Sequence, residues 1–306
     1  MAINRPLIHE IADRTWLVNE LGCNNMYILE GDKSSLVIDA GMGYCDFRKI
    51  VENITQKPYE VAITHAHPDH VGMIHQFDRI CINKKEMGEM FDFCTRKDFD
   101  LEEFHWNNRQ HIGFWEAWEC TEDMINRGDK KTEIVYIDEG YEFDLGGRKV
   151  SSWYLPGHSP GHMYYIDSGS RIAFTGDCVN HNNGTHCHAA STHIRYLQKL
   201  MDQHGKLYDR IFTGHSTYCG SLDVFSHDIS VVRNLIEAHR SLLRGDAKYD
   251  SVRNHIHPEM PPIQVVVYGS EIPDAPGGGG RGRGDPRVTP NVPEKLWEDG
   301  EEHIIP

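Results

Sequence analysis

The sequence predicts an α/β fold, and two observations predict it. Short apolar runs rich in Val, Ile and Tyr stop repeatedly at a glycine, as strands running into tight turns do. Between them stand segments with apolar residues at i, i+3, i+4 and i+7, the period of an amphipathic helix. The 306-residue chain is long enough for one large domain or two small ones, and at 39% hydrophobic residues it can fill a sizeable core.

Residues 8–45 read as strands and turns: "RTWLVNE", "NNMYILEG" and "SSLVIDAG", the last ending in Asp39 and a glycine turn. "DFRKIVENI" follows as a helix, with Phe47, Ile50, Val51 and Ile54 on one face. "YEVAIT", Tyr59 to Thr64, is a short strand. "VGMIHQF" can begin a helix, and a further strand lies near "DRICIN".

From about Lys84 to Lys131 the chain changes character. Phe, Trp, Met and charged residues mix at helical spacing, which predicts a helical insertion. Trp115 and Trp118 make it either a self-packed aromatic face or a wall over a binding site. Strands then return in "EIVYIDEG", "YEFDLGGRKVSSWYLPGH", "HMYYIDSG" and "RIAFTGD", with "DLGG" as a hairpin turn. A polar loop spans Cys178 to Ser191. "THIRYLQKLMDQHG" reads as a helix, "YDRIFTGHS" as a strand and "LDVFSHDISVVRNLIEAHRSLLRG" as a long helix.

Residues 1–255 are thus expected to form the domain and 256–306 a Pro/Gly-rich C-terminal extension containing "GGGGRGRGDP". The strand-like run "IQVVVYG" within that extension should dock on its own domain or on a second subunit, which would make a homodimer.

Charge and cysteine use narrow the function. A formal charge of −15 argues against nucleic acid, whose phosphates call for clustered Lys and Arg, and fits a small-molecule substrate. The N-terminus "MAINRPLIHEIADRTW" lacks a signal-peptide layout, and no run reaches the length of a membrane span. The eight cysteines are scattered without a C-x-x-C pair, as expected of reduced thiols in the cytoplasm.

The chemistry concentrates at strand ends. "THAHPDH" places His65, His67, Asp69 and His70 within six residues at the close of a strand. "VIDAG" adds Asp39, "LPGHSPGH" adds His158 and His162, "FTGD" adds Asp177 and "FTGH" adds His215. Imidazole and carboxylate are the ligands that borderline-hard divalent ions accept, and these groups exceed the needs of one tetrahedral ion. Two ions fit better, one on three histidines, the other on Asp and two histidines, with a carboxylate between them.

In "VIDAG", "THAHPDH", "PGHSPGH", "FTGD" and "FTGH" the chain resembles the metallo-β-lactamase superfamily, in particular its glyoxalase II-like and lactonase-like branches, over roughly residues 8 to 220. The resemblance implies an αββα sandwich with two divalent metal ions at one edge, zinc first, with manganese and iron also accepted. It implies His65, His67 and His158 on one ion, and Asp69, His70 and His215 on the other, with Asp177 bridging. Asp39 and His162 would orient those ligands.

The chain also departs from the pattern. Oxygen-reducing diiron members usually carry Glu where this chain has His67, and persulfide dioxygenases of the fold usually lack a histidine matching His162. Lactonases place a Tyr where this chain has Asn180. The stretch after Asp177 does not look like the glutathione-binding segment of glyoxalase II, and the C-terminal part lacks that enzyme's helical domain. Substrate therefore does not follow from fold.

The activity expected is hydrolysis of an ester, thioester or lactone by a hydroxide bridging the two metals, with Asp69 or Asp177 as proton acceptor. Cys178 and Cys187 are not expected to act. Asn180 and His181, in the loop after Asp177, and Trp115 and Trp118, in the insertion, are the candidate substrate contacts. His186 and His188 could share a face only on an extended strand. Phosphodiester cleavage of small substrates, β-lactam hydrolysis and a non-catalytic metal-binding sensor of the same fold are the alternatives.

Overall fold

The computed structural model describes residues 6–20, 24–97, 124–180, 182–184, 190–218, 221–222, 226–244, 247–250, 255–258 and 266–268. Two sheets face each other, with helices on both outer sides. This is the αββα sandwich.

The first sheet holds β1 (Leu7–Ala12), β2 (Thr15–Glu20), β3 (Asn24–Glu30), β4 (Ser35–Ile38), β5 (Tyr59–Ala62), β6 (Arg79–Ile82) and β7 (Glu133–Tyr136), in that order. It is antiparallel up to β4 and parallel from β4 to β7. The second sheet takes β8 (Glu142–Asp144), β9 (Lys149–Tyr154), β10 (Met163–Asp167), β11 (Ile172–Phe174) and β13 (Arg210–Phe212), in the order β13-β11-β10-β9-β8.

Side-chain alternation sorts the core. On β3, Tyr27 and Leu29 point between the sheets to join Phe143, Val150, Tyr165 and Phe174. Met26 and Ile28 point outward, against α1 (Phe47–Ile54) and α3 (Glu89–Thr95), with Phe47, Val51 and Phe91. A strand buried on both faces has no polar side to show, so it reads as a continuous apolar run. Helices α4 (Ala190–Lys199) and α5 (Ser230–Arg244) cover the second sheet, with Leu197, Val232 and Leu235 in the same core as Phe174 and Ile211.

Strand direction sets where chemistry can gather. Strands β4 and β5 run parallel. Strands β9 and β11 are each antiparallel to β10, and β13 is parallel to β11. Their carboxyl ends therefore share one edge within each sheet, and the sandwich brings the two edges together. At the opposite edge Arg148 and Asp167 form a buried ion pair, with Arg148 Nη2 at 2.6 Å from Asp167 Oδ2.

Three elements differ from the sequence expectation. The helix expected from Val71 is a single turn, α2 (Pro68–Val71), that ends where it was to begin. Pro68 suits a first helical position, and beyond it Gly72 N and Met73 N donate to Gly41 O and Ala40 O instead of continuing a helix.

The long helix begins only at Ser230. His227 pairs with Ile211 through two backbone bonds, and Asp228 Oδ1 accepts from Ser230 N at 2.7 Å.

The insertion is helical from Glu89 to Thr95, after a 3-10 turn at Lys84–Glu86, and residues 98–123 lie outside the described residues. From Ile125 to Lys131 the chain is not helical. It runs along the first sheet's loops, with Asn126 N donating to Gly43 O and Gly128 bridging to His75.

In the C-terminal region, β12 (Asn182–Gly184) pairs in parallel with Val266–Tyr268, which lies beside the hairpin of Ala247–Asp250 and His255–Pro258. The strand within "IQVVVYG" thus docks on the loop that follows Asp177. No helix among the described residues is long and apolar enough to cross a membrane.

Candidate metal centre

Each motif leaves a strand end and turns toward the shared edge. Asp39 follows β4 with φ +64°, a left-handed conformation that costs a side-chain-bearing residue about 1 kcal/mol or more. The conformation aims its carboxylate at three donors. Thr64 N (2.7 Å) and Thr64 Oγ1 (2.9 Å) donate to it, and so does His70 Nδ1 (2.9 Å). His65 Nδ1 in turn lies 3.1 Å from Thr64 Oγ1 and donates to it. One carboxylate therefore fixes the rings of two histidines, directly and through a threonine, and leaves both Nε2 lone pairs facing inward.

Two groups result. The ligating atoms of His65, His67 and His158 lie within 4.8 Å of one another, as do those of Asp69, His70, Asp177 and His215. In the first group the ring centroids stand 4.5 Å (His65–His67), 4.6 Å (His67–His158) and 4.8 Å (His65–His158) apart. In the second, His215 Nε2 lies 3.0 Å from Asp177 Oδ2 and 3.2 Å from Asp69 Oδ2, and His70 Nε2 lies 3.4 Å from Asp177 Oδ1.

Asp177 also reaches the first group, with Oδ2 at 3.4 Å from His158 Nε2. It stands between the two. His67 and Asp69 are partly exposed while the other five are buried, so the groups open to solvent on the His67–Asp69 side.

The residues fit divalent ions. His65 Nε2 is buried with no hydrogen-bond partner among the described residues. A buried polar atom left so is costly unless something binds it. Burial, with the neighbouring histidines adding to it, holds the His65 pKa well below the ordinary value, which keeps the imidazole neutral as a ligand must be.

In the second group burial opposes charge on His70 too, but Asp69, Asp177 and Asp39 outweigh it and raise its pKa. Burial likewise opposes charge on Asp177, yet His215 and His70 hold its carboxyl well below the usual range.

His162 is buried behind these groups. It stacks on His65 at 4.7 Å, and its Nε2 accepts from Asp177 N at 3.2 Å. Gly214, before His215, has no room for a side chain, since an added Cβ would stand 2.4 Å from Asp177 Oδ1 and 2.7 Å from His70 Cε1. Glycine is what lets the last strand end approach the others.

Asn180 is buried at 2% exposure, three residues past Asp177, and its Oδ1 has no hydrogen-bond partner among the described residues. Cys178 is buried and donates to Leu155 O at 2.9 Å. His181, Trp115 and Trp118, with His186, Cys187 and His188, lie outside the described residues.

Sequence reasoning missed three supports. Glu86 accepts from Ala66 N, Ser159 Oγ and Gly161 N. Glu20 accepts from the successive amides of Met42, Gly43 and Tyr44, beside the Asp39 turn. Asn25 binds Thr213 O through Nδ2 and accepts from Ser216 Oγ, which steadies the His215 loop. All three join residues far apart in sequence and sit in no recurring motif. The paired asparagines of "NNMY" were the one visible signal, two amides at a strand start that an apolar strand does not need.

The family model of the Metallo-beta-lactamase superfamily matches residues 21–215. The chain belongs to the metallo-β-lactamase superfamily.

Among curated members, human acyl-coenzyme A thioesterase MBLAC2 is 24% identical over 172 residues, covering 51% of this chain and 58% of that protein. Hydroxyacylglutathione hydrolase GloC of Haemophilus influenzae is 27% identical over 156 residues, covering 51% and 66%. The matched region is therefore just over half the length of the human relative. A metallo-beta-lactamase family protein from Thermus thermophilus shares the fold, with a TM-score of 0.51 at 19% identity over 77% of this chain and 82% of that one.

Proposed function

We propose that the protein is a dinuclear metallohydrolase that cleaves the thioester, or failing that the ester or lactone, of a small acyl substrate. The observation that carries this reading is the position of Asp177, whose Oδ2 faces both His158 (3.4 Å) and His215 (3.0 Å). A carboxylate between two ligand groups suits a pair of ions sharing one water.

Ions bound at these groups, zinc first and manganese or iron next, would acidify such a water to a pKa of about 7 and polarise the carbonyl beside it. The chain's own residues do the rest. His65, His67 and His158 would hold one ion through neutral nitrogens. Asp69, His70 and His215 would hold the other, with Asp177 in common. Asp69, on the open side, or Asp177, between the two groups, would take the proton of an attacking water. Substrate would enter between His67 and Asp69.

The choice of thioester is supported by the activities for which relatives are named, an acyl-coenzyme A thioesterase, a hydroxyacylglutathione hydrolase and an atrochrysone carboxyl ACP thioesterase. Metal analysis of the purified protein should find about two ions per chain. A panel of an acyl-coenzyme A, an acylglutathione, a lactone, a β-lactam and a phosphodiester should show the thioesters turning over fastest. Full activity after chelation, or cleavage of the phosphodiester alone, would overturn the proposal.

A further inference from the structure

Two loops carry the three-histidine group, and they come from different sheets. His65 and His67 follow β5 in the first sheet; His158 follows β9 in the second. The backbone bond from Met163 N to Thr64 O (2.8 Å) ties the loops near their strand ends. Nearer the histidines the link is a side chain. Glu86 Oε2 accepts from Ala66 N, the residue between His65 and His67, at 2.7 Å. Its Oε1 accepts from Ser159 Oγ at 2.6 Å and Gly161 N at 2.5 Å, in the turn between His158 and His162.

Glu86 is itself fixed. It is 5% exposed and ends a 3-10 turn capped by Asn83, whose Oδ1 accepts from Lys85 N at 2.9 Å. Asn83 is anchored in turn to Ile137 O and Asp138. The second loop is shaped to receive the carboxylate. A Cβ on Gly161 would stand 2.8 Å from Glu86 N and 3.0 Å from Glu86 Oε1. Ionised carboxylate is acceptor-only, and all three partners are donors.

We infer that Glu86 is the positioning residue of the three-histidine group, a carboxylate strut that sets the distance between the loop of His65 and His67 and the loop of His158. Its carboxylate binds two backbone amides and a serine hydroxyl, none of them a candidate ligating atom. It acts by holding the backbone on either side of the ligands. The inference rests on the proposed metal-binding reading and goes beyond it, because Glu86 lies outside all five motifs that carry the superfamily resemblance.

Glu86→Gln keeps the shape and turns one acceptor into an NH2 that must face an N–H donor. The chelated protein, titrated with Co²⁺ and followed by visible absorption, reads both groups, and His67→Ala protein supplies the spectrum of the acidic group alone. Glu86→Gln should weaken Co²⁺ at the three-histidine group by ~10–100-fold, the usual effect of losing an orienting partner, and leave the acidic group within a few-fold. Ser159→Ala removes one of the three bonds and should weaken the same group by less.

Thermal unfolding of the metal-free variants separates positioning from bulk stability. A lowered midpoint with an unchanged ratio of the two affinities would reduce Glu86 to a packing residue and overturn the inference. Equal Co²⁺ binding by wild type and both variants would overturn it too. Should Glu86→Gln not fold, Ser159→Ala decides: selective weakening supports the strut and unchanged binding refutes it. Failure of the wild-type protein to bind Co²⁺ at all would instead sink the metal-binding reading.

Discussion

The two ends of the sandwich both bury charged groups, and they satisfy them in opposite ways. At the far end every donor of Arg148 is spoken for. Nε and Nη2 bond Asp167 Oδ2 at 3.0 and 2.6 Å, Nη2 also bonds Thr15 Oγ1, and Nη1 bonds Arg14 O and Glu30 O. Asp167 takes further bonds from Gly169 N and Ser170. At the near end seven His and Asp side chains face one another, and His65 Nε2 has no hydrogen-bond partner among the described residues. A polar cluster that closes on itself holds the fold. One that is braced from behind by Asp39, Glu86 and His162, and left open in front, is built to hold something else.

The contrast can be broken from either side. Arg148→Ala should cost the largest amount, ~3–5 kcal/mol in denaturant unfolding, because it strands a buried carboxylate. Metal stoichiometry should not change. A loss below ~1 kcal/mol would show that the far end is not a structural clamp.

His239 belongs to neither end and tests what burial does alone. It lies in α5 fully buried with Nδ1 bonded to Leu235 O, and burial pushes its pKa from 6.5 to about 4. The sign follows from proton counts. Between about pH 6.5 and pH 4 the unfolded chain binds a proton that the folded chain refuses, so stability falls as pH drops through that window, by ~3 kcal/mol. His239→Gln should flatten that slope in unfolding curves taken across the window. An unchanged slope assigns the dependence to other groups.

Asp177→Asn attacks the near end. It keeps the shape and, on the proposed reading, removes the charge shared by the two groups and a proton acceptor, so it should lower kcat on the best substrate at least ~100-fold with little loss of stability. Retention of activity within ~10-fold would remove Asp177 from the reaction. The companion double variant His65→Ala with His67→Ala should bind about one ion fewer per chain by elemental analysis.

The smallest effect sharpens the comparison by its absence. Cys178 sits one residue past Asp177 but donates to Leu155 O inside the core. Cys178→Ala should leave kcat within a few-fold, and an inactive variant would reopen a thiol mechanism.

How much of this was legible in the sequence follows the range of the interactions. Helix α1 declared itself through Phe47 and Val51, since helical periodicity is local. The clustered histidines and aspartates declared themselves because His65, His67, Asp69 and His70 leave one strand end together, and "PGHSPGH", "FTGD" and "FTGH" mark the other strand ends with glycine. The start of α5 was misplaced because its boundary is set by His227 pairing with Ile211, a partner sixteen residues away on another strand. Helix α2 was misplaced for the same kind of reason, its following amides being captured by Ala40 and Gly41.

By itself the sequence determined the α/β class, the set of candidate ligating side chains and their division among four strand ends, with Asp39 at a fifth, because each depends on residue type and near spacing. Only the tertiary structure decided how those ends meet. It set Asp177 against His158 and His215 and brought Asp39 behind both His65 and His70. It also put Glu86 between two loops more than 70 residues apart in the chain. The physical reason is that a buried carboxylate is tolerated only where donors converge on it, and here those donors come from sheets that the chain brings together only when it folds.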